Sequence, residues 1–264
     1  QTRNDQSLRA FVSIDCRLQG ARVIDTLNLT SLTALHVVGL FRCKHSALTD
    51  QPTNQHTMTN QINKLSVTKS TDAQIKSCLR SWINDASAEN IASGLEWYSE
   101  AQAFCHSLAN EFALPAYIVA SVISMLSPNN KWARNKVDAR AVILAWKNGL
   151  GADSVKVCTY TPNKLKAFRA LNEGERIASS APKTHAFAMN VGLLSPDHIT
   201  IDKWHIRACL VKPKDGVTDT VETVTAKQYR RIEAITAQIA KENGLKGYEL
   251  QAIIWVSIKQ NWNR

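Results

Sequence analysis

"APKTHAFAMNVGLLSPDHITIDKWHIRACL", residues 181–210, contains two helix starts separated by an apolar segment. Pro182 suits the first position of a helix, because that position needs no backbone N–H donor. Asp202 precedes an amphipathic turn and stands where an N-cap residue stands. The stretch therefore predicts a helix that begins near Pro182, with Lys183 in its first turn, and a second helix capped by Asp202.

The two helix starts bring an amine and a carboxylate to positions where chemistry is possible. Ser179 or Ser180 can cap the first helix. The free amides and the dipole of a first turn disfavour a cation, which suits Lys183 to a role as a nucleophilic amine; the alternative is an ordinary surface lysine. Asp202 is either a structural cap or a carboxylate beside a cavity, able to orient water or stabilise a developing sugar cation. Helix geometry alone does not choose between these interpretations.

Helical signals continue through almost the whole chain after Ser70. Thr71 can cap a helix whose apolar residues share one face, and residues 116–127, "AYIVASVISMLS", are apolar all round, as in a helix buried on every side. No pair of strands is evident in the pattern. The sequence therefore predicts an all-α fold.

The first 57 residues differ in composition from the rest of the chain. The first methionine is Met58, and residues 1–57 contain no glutamate and one lysine. We expect residues 1–57 to be an N-terminal extension, either a segment upstream of a translation start at Met58 or a mobile arm. Residues 58–264 are expected to form a single all-helical domain.

Composition limits the cofactors and partners. The six cysteines contain no C-x-x-C pair, so we expect no zinc site, no iron–sulfur cluster, no other metal and no cofactor. No run of about eighteen apolar residues could cross a bilayer, and a cytoplasmic protein is expected. The formal charge of +10 makes a polyanionic partner such as nucleic acid plausible.

Three segments resemble motifs of the helix-hairpin-helix DNA glycosylases, the superfamily of endonuclease III and the 8-oxoguanine glycosylases. Residues 117–143 resemble that family's apolar helix, its serine-containing turn and the helix that follows. "PKTHA" supplies Lys183 and Thr184 where the family has a hairpin ending in K-T-A. "IDKWHIR" supplies Asp202 and Arg207 where the family has V-D-T-H-x-x-R.

The resemblance covers residues 117–210 and looks closest to short phage-encoded relatives. It implies a two-lobed helical glycosylase fold whose hairpin is degenerate, because "IASSAP" has no glycine where the family has L-P-G-x-G. It assigns catalysis to Lys183 and Asp202. It also implies DNA contacts by Asn129, Asn130, Lys131, Arg134, Ser179, Ser180, Thr184 and Arg207, and a base pocket that contains His185, Trp204 and His205.

The function that the resemblance implies is a DNA N-glycosylase, with or without lyase activity, acting on a damaged or modified base. Duplex DNA is the expected partner of a monomeric protein. One alternative is a phage enzyme that processes a hypermodified base in the same pocket. Another is a helix-hairpin-helix DNA-binding protein without catalysis.

Overall fold

The computed structural model describes residues 66–215 and 223–262 of the chain. These residues form α-helices, two single-turn 3₁₀ helices and connecting turns, without a strand, which confirms the all-α fold class. The α-helices are α1 (Asp72–Asn84), α2 (Ala88–Phe112), α3 (Ala116–Leu126), α4 (Trp132–Lys147), α5 (Thr161–Glu173), α6 (Pro182–Val191), α7 (Lys203–Leu210), α8 (Ala226–Glu242) and α9 (Gly247–Trp262). The predicted extension, residues 1–57, lies outside the described residues.

Helix α1 begins with the capping interaction that the sequence predicts. The hydroxyl of Thr71 accepts the backbone N–H of Gln74, and the side chain of Gln74 accepts the N–H of Thr71, which completes a capping box. Three turns of one face, including Ile75, Leu79 and Trp82, are then buried. A local cap and a helical apolar period together fix both the start and the inner face of α1.

Two clusters of buried apolar residues form the core of the described part. The first cluster surrounds α3, which is buried along most of its length and packs against α2, α5 and α6. The second cluster joins α1, α7 and α8. Helix α9 contributes Tyr248 and Ala252 to the first cluster and Leu250 and Ile254 to the second, so it connects the two.

Helix α2 packs closely against α9 at a glycine. A Cβ atom added to Gly94 would lie 2.5 Å from the Cα atom of Ile253, which is inside van der Waals contact with a backbone atom. Gly94 thus allows the two helix backbones to approach each other, and this approach holds α9 between the two clusters.

Both helix starts of residues 181–210 are present, with one difference. Helix α6 begins at Pro182, and Asp202 is the N-cap of α7, which confirms both predictions. The predicted capping by Ser179 or Ser180 is wrong. The N-cap residue of α6 is Ala181, and no side chain among the described residues bonds to the free amides of the first turn. Within the described ranges, no helix is long and apolar enough to span a membrane.

Candidate active site between the two helical clusters

A cavity of about 580 Å³ has walls from both apolar clusters and contains both predicted catalytic residues. Its walls come from α2, the turn between α3 and α4, the first turns of α4, α6 and α7, and α9. The lining residues are Trp97, Tyr98, Ser127, Asn129, Asn130, Lys131, Trp132, Asn135, Lys183, Phe187, Thr200, Asp202, Lys203, Trp204, Gln251, Ala252, Trp255 and Lys259. Lys183 and Asp202, which begin two different helices, therefore line one space.

Asp202 combines a capping role with a cavity-lining carboxylate. Its Oδ1 atom accepts the backbone N–H groups of Trp204 at 3.0 Å and His205 at 2.9 Å. Its Oδ2 atom has no hydrogen-bond partner among the described residues. The two amides hold the carboxylate at the start of α7, while the second oxygen stays available to a ligand.

The surroundings of Asp202 shift the pKa of its carboxyl in opposite directions. Burial raises the pKa of its carboxyl, because desolvation disfavours the charged form. The hydrogen bond from the His205 amide, the positive charge of Lys183 and the Trp204 amide each lower it, and they offset part of the desolvation. Lys183 is thus close enough to Asp202 for its charge to favour the carboxylate.

A chain of buried hydrogen bonds positions the segment that leads to Asp202. The side-chain oxygen of Asn190 accepts the hydroxyl of Thr200 at 3.1 Å, and the Thr200 oxygen lies 3.2 Å from the Tyr98 hydroxyl. The Tyr98 hydroxyl also lies 3.1 Å from the side-chain oxygen of Gln251. Helices α2, α6 and α9 are thereby linked to Thr200, two residues before Asp202, and this linkage fixes the carboxylate relative to the cavity wall.

Lys183 lies in the first turn of α6 with an exposed side chain. The helix beneath it is anchored to α3, because the hydroxyl of Ser124 donates to the backbone carbonyl of Thr184 at 2.6 Å. Thr184, predicted to contact DNA, is used here through its backbone and does not line the cavity. The backbone at the start of α6 is therefore attached to α3, while the exposed side chain of Lys183 lines the cavity.

Aromatic rings form much of the cavity wall. Four of the seven tryptophans of the chain line it. The ring of Trp97 lies 5.5 Å from Trp132, 6.1 Å from Phe187 and 6.1 Å from Trp255, measured between centroids. Trp97, Trp132 and Trp255 are only partly buried, so they offer flat apolar surface on which a planar ligand can stack.

Trp204, which was predicted to lie in a base pocket, lines the cavity, and cations surround its ring. The Arg207 guanidinium lies 4.4 Å from the ring centroid, and the ammonium groups of Lys203 and Lys259 lie 5.4 Å and 4.9 Å from it. These contacts are cation–π interactions, which fix the indole in the wall. The other three tryptophans offer more accessible stacking surface.

The cavity carries positive charge. Lys131, Lys183, Lys203 and Lys259 line it, and Asp202 is the single carboxylate among the lining residues of the described chain. Low-dielectric walls concentrate such a field. The four lysines favour an anionic group on a ligand, whereas Asp202 places a carboxylate in the same cavity.

Both histidines predicted in the base pocket lie elsewhere, which corrects that prediction. The Nδ1 atom of His185 lies 2.8 Å from the carbonyl oxygen of Ile177, and its ring packs edge-on against His198. His205 is 1% exposed, and its Nε2 atom lies 2.9 Å from the hydroxyl of Thr236 on α8. Both rings point away from the cavity, because His205 is one position after cavity-lining Trp204 and His185 is two positions after Lys183, and neither offset keeps two side chains on one helix face.

The residues predicted to contact DNA separate into two groups. Asn129, Asn130 and Lys131 line the cavity, all in the turn between α3 and α4. The others do not line it: Arg134 pairs with buried Asp138 through its Nε atom at 2.7 Å, Ser179 and Ser180 are exposed outside the cavity, and Arg207 is 5% exposed. The burial of Arg207 beneath the surface corrects its assignment as a DNA contact.

Helix α9 provides a wall of the cavity that was not predicted from the sequence. Gln251, Trp255 and Lys259 line the cavity from three successive turns of this helix. Their spacing of four residues places them on one face of the helix. That polar and aromatic stripe was a signal that could have identified them.

Among the described residues, no group of three His, Cys, Asp or Glu side chains could hold a metal ion.

The described residues form an all-α fold with a cavity that lysines and aromatic rings line, between the two clusters of buried apolar residues. Residues 60–262 match the model of a family described as a Family of unknown function (DUF7178), and since this is more than half of the chain, the protein belongs to that family. No curated protein and no solved structure matches the chain.

Proposed function

We propose that the protein is a DNA N-glycosylase that releases a damaged or modified base, built on a two-lobed fold like that of the helix-hairpin-helix glycosylases. The observation that carries the proposal is that Lys183 and Asp202, from two different helix starts, line one aromatic cavity. An enzyme that acts on a base in duplex DNA must first extrude it from the stack. A cavity of about 580 Å³ is large enough to receive such a base.

Binding of the DNA would depend on charge and stacking. The lysines around the cavity favour phosphate groups through counterion release, and the partly buried indoles favour a flat base. Asn129 lies exposed in the turn between α3 and α4 with a φ of 56° and contacts the hydroxyl of Tyr160. The amide of Asn130 is instead held by Asp138. Asn129 is therefore the better placed of the two to fill the gap that an extruded base leaves.

Asp202 suits the stabilisation of the positive charge that develops on the sugar as the base departs. Such stabilisation is strongest when the charged group is positioned beforehand in a poorly solvated site. The two amide hydrogen bonds to Oδ1 hold the carboxylate in place without a ligand, and burial keeps it poorly solvated. The free Oδ2 atom would face the anomeric carbon or a water molecule that attacks it.

Lys183 suits the role of nucleophile. Its amine nitrogen would bond to the anomeric carbon while the glycosidic bond breaks, and the base would leave with the bonding electrons and take up a proton. The nitrogen would then lose one proton, the bond between the anomeric carbon and the ring oxygen would break as the C=N bond forms, and the ring oxygen would take up a proton, which leaves a protonated Schiff base. Borohydride reduces such a Schiff base to a stable amine, which provides the test.

The experiment is borohydride trapping on duplex DNA that contains an abasic site, and on a panel of duplexes with modified bases. We expect a covalent adduct with the unchanged protein and none with Lys183→Ala. Lys203→Ala is the matched control, because it removes one positive charge from the same cavity but leaves the amine of Lys183, and it should still form the adduct.

Asp202→Asn tests the second role. Asparagine is also a good N-cap, so the variant should fold and bind DNA, while base release slows by about two orders of magnitude or more. An unchanged rate would remove Asp202 from the mechanism. Absence of any adduct across the panel would exclude the lyase reaction, and salt-dependent duplex binding without any product would identify a non-catalytic DNA-binding protein.

A further inference from the structure

A second cavity lies between the end of α4 and α5, and it shares no lining residue with the candidate active site. Its volume is about 880 Å³. Its walls come from the last turn of α4, the turn and the 3₁₀ helix that follow, and α5, within residues 146–152 and 162–172. We call this cavity the α4–α5 groove.

Two leucines on the walls of the groove are left half exposed. Leu150 is 50% exposed and Leu165 is 49% exposed, although Phe168 in the same groove is buried. The ring of Trp146, which also lines the groove, is partly buried. A single exposed leucine on a surface needs no explanation. Two leucines from different segments that line one cavity with an indole form an apolar surface that a partner can cover.

Hydrogen bonds within the chain hold the walls of the groove in place. Gly149 has a φ of 72°, its N–H donates to the carbonyl of Trp146 at 2.9 Å, and the N–H of Leu150 donates to the carbonyl of Ala145 at 2.9 Å. This is the Schellman arrangement, which fixes the turn that carries Leu150 to the end of α4. The indole N–H of Trp146 donates to Oδ1 of Asn172 at 2.9 Å and so joins α4 to α5.

The charged side chains that line the groove are both positive. Lys166 and Arg169 line it from adjacent turns of α5, and no carboxylate is among its lining residues in the described part of the chain. Lys166 is exposed. The Nε atom of Arg169 lies 3.6 Å from a carboxylate oxygen of Glu175, and both side chains are about half exposed. Such an exposed pair contributes little to stability, so both cations are available to an anionic partner.

We infer that the α4–α5 groove is a docking site for an acidic segment of a partner protein. An apolar side chain of that segment packs against Leu150 and Leu165, and neighbouring Asp or Glu side chains pair with Lys166 and Arg169. Charge complementarity identifies the partner as acidic. A second copy of the chain does not fit, because a two-fold contact would set the two cations against themselves and each copy has a formal charge of +10. A DNA backbone would pair with the cations but has no apolar side chain for the two leucines.

The test is selection of a random peptide library, displayed on phage, against the full chain. The enriched peptides are then synthesised with a fluorophore and titrated by fluorescence anisotropy. We expect them to combine Leu, Phe or Trp with Asp or Glu. Their affinity should fall as the salt concentration rises, because salt screens the contacts of exposed charges.

Two pairs of variants locate the binding site. Lys166→Glu should weaken the peptides at least about tenfold, because an attraction becomes a repulsion. Lys227→Glu, the same change at an exposed position in the first turn of α8, is the matched control and should leave their affinity unchanged.

Gly151→Trp should also weaken the peptides at least about tenfold by filling the groove, whereas Gly151→Ala should not. The backbone at Gly151 accepts a side chain, since its φ is −81° and an added Cβ has no neighbouring atom within 4 Å. Circular dichroism melting shows whether each variant is folded. The composition of the enriched peptides tests the inference with the unchanged protein alone if a variant does not fold.

Absence of any enriched peptide, or enriched peptides without acidic residues, would overturn the inference. Peptides that bind folded Lys166→Glu or Gly151→Trp as tightly as the unchanged protein would do the same. Duplex DNA that binds less tightly to both of these variants would identify the groove as a nucleic-acid contact instead. Because the groove shares no lining residue with the cavity of Lys183 and Asp202, these outcomes are independent of the borohydride trapping that tests the proposed function.

Discussion

Protonation of His205 should destabilise the fold in mild acid. The side chain is buried, and its Nε2 atom lies 2.9 Å from the hydroxyl oxygen of Thr236. That hydroxyl donates its own hydrogen to the carbonyl of Ile232 at 2.9 Å, so it accepts from Nε2–H and leaves Nδ1 as the unprotonated nitrogen. Nδ1 is buried without a partner in the described residues. A proton added there would create an unpaired charge in the second apolar cluster.

The size of the effect follows from the pKa. Burial lowers the pKa of His205 from 6.5 to about 4. Between these values the unfolded chain binds the proton and the folded protein does not, so stability is present above pH 6.5 and falls as the pH falls. With about 1.36 kcal/mol for each pKa unit, the free energy of unfolding should drop by about 2 kcal/mol at pH 5 and about 3 kcal/mol at pH 4.

The measurement is urea unfolding of the protein and of His205→Gln between pH 7.5 and pH 5. Glutamine can donate to Thr236 but does not titrate, so the difference between the two stabilities should shrink or reverse by about 2 kcal/mol as the pH falls. The raised pKa of Asp202 and the lowered pKa of His198 act in both proteins and cancel in the difference. His106→Gln, at an exposed position of α2, controls for loss of a histidine. An equal pH dependence of the unchanged protein and His205→Gln would refute the reasoning.

Two further predictions concern the packing that holds the cavity walls. Gly94→Ala should lower the free energy of unfolding by about 1–3 kcal/mol in urea titrations, because its Cβ would lie 2.5 Å from the Cα atom of Ile253. Gly151→Ala is the control, since an added Cβ there has no neighbouring atom within 4 Å, and it should change the free energy of unfolding by less than about 0.5 kcal/mol. Equal effects of the two substitutions would contradict the close approach of α2 and α9. Trp82→Phe should lower the free energy of unfolding, measured by thermal unfolding, by about 1–3 kcal/mol. The substitution leaves the carbonyl of Val211 without the indole N–H that now donates to it at 2.8 Å. A variant as stable as the unchanged protein would show that this hydrogen bond contributes nothing.

The helices were predictable because their signals are local. Thr71 and Gln74 form a capping box from residues three positions apart, and the side chain of Asp202 caps α7 by accepting the amides of Trp204 and His205. The apolar surface of α3 indicates burial whatever surrounds it. The expected serine cap of α6 failed because a good capping residue near a helix start is not enough. The backbone must also place its oxygen against the first amides, and Ala181 occupies that position.

The side-chain directions were harder to predict than the helices. His205 follows cavity-lining Trp204 by one residue, and this turn of the helix directs its ring to Thr236 instead of the cavity. Arg207 occupies the position that the resemblance assigns to a DNA contact, yet it is buried against Trp204. Motif spacing gives the order of residues along the chain, whereas the face that each one presents depends on how its helix rotates against its neighbours.

Local patterns along the chain were enough to predict the helices of the described residues, the positions where they begin, and the two helix starts that carry an amine and a carboxylate, because capping and periodicity act over a few residues. The packing of the helices was needed to show that Lys183 and Asp202 line one cavity and that Trp97 and Trp255 help to form its wall. These properties arise between residues far apart in the chain. They are set by how α2, α4, α6, α7 and α9 pack, and no local pattern contains that information.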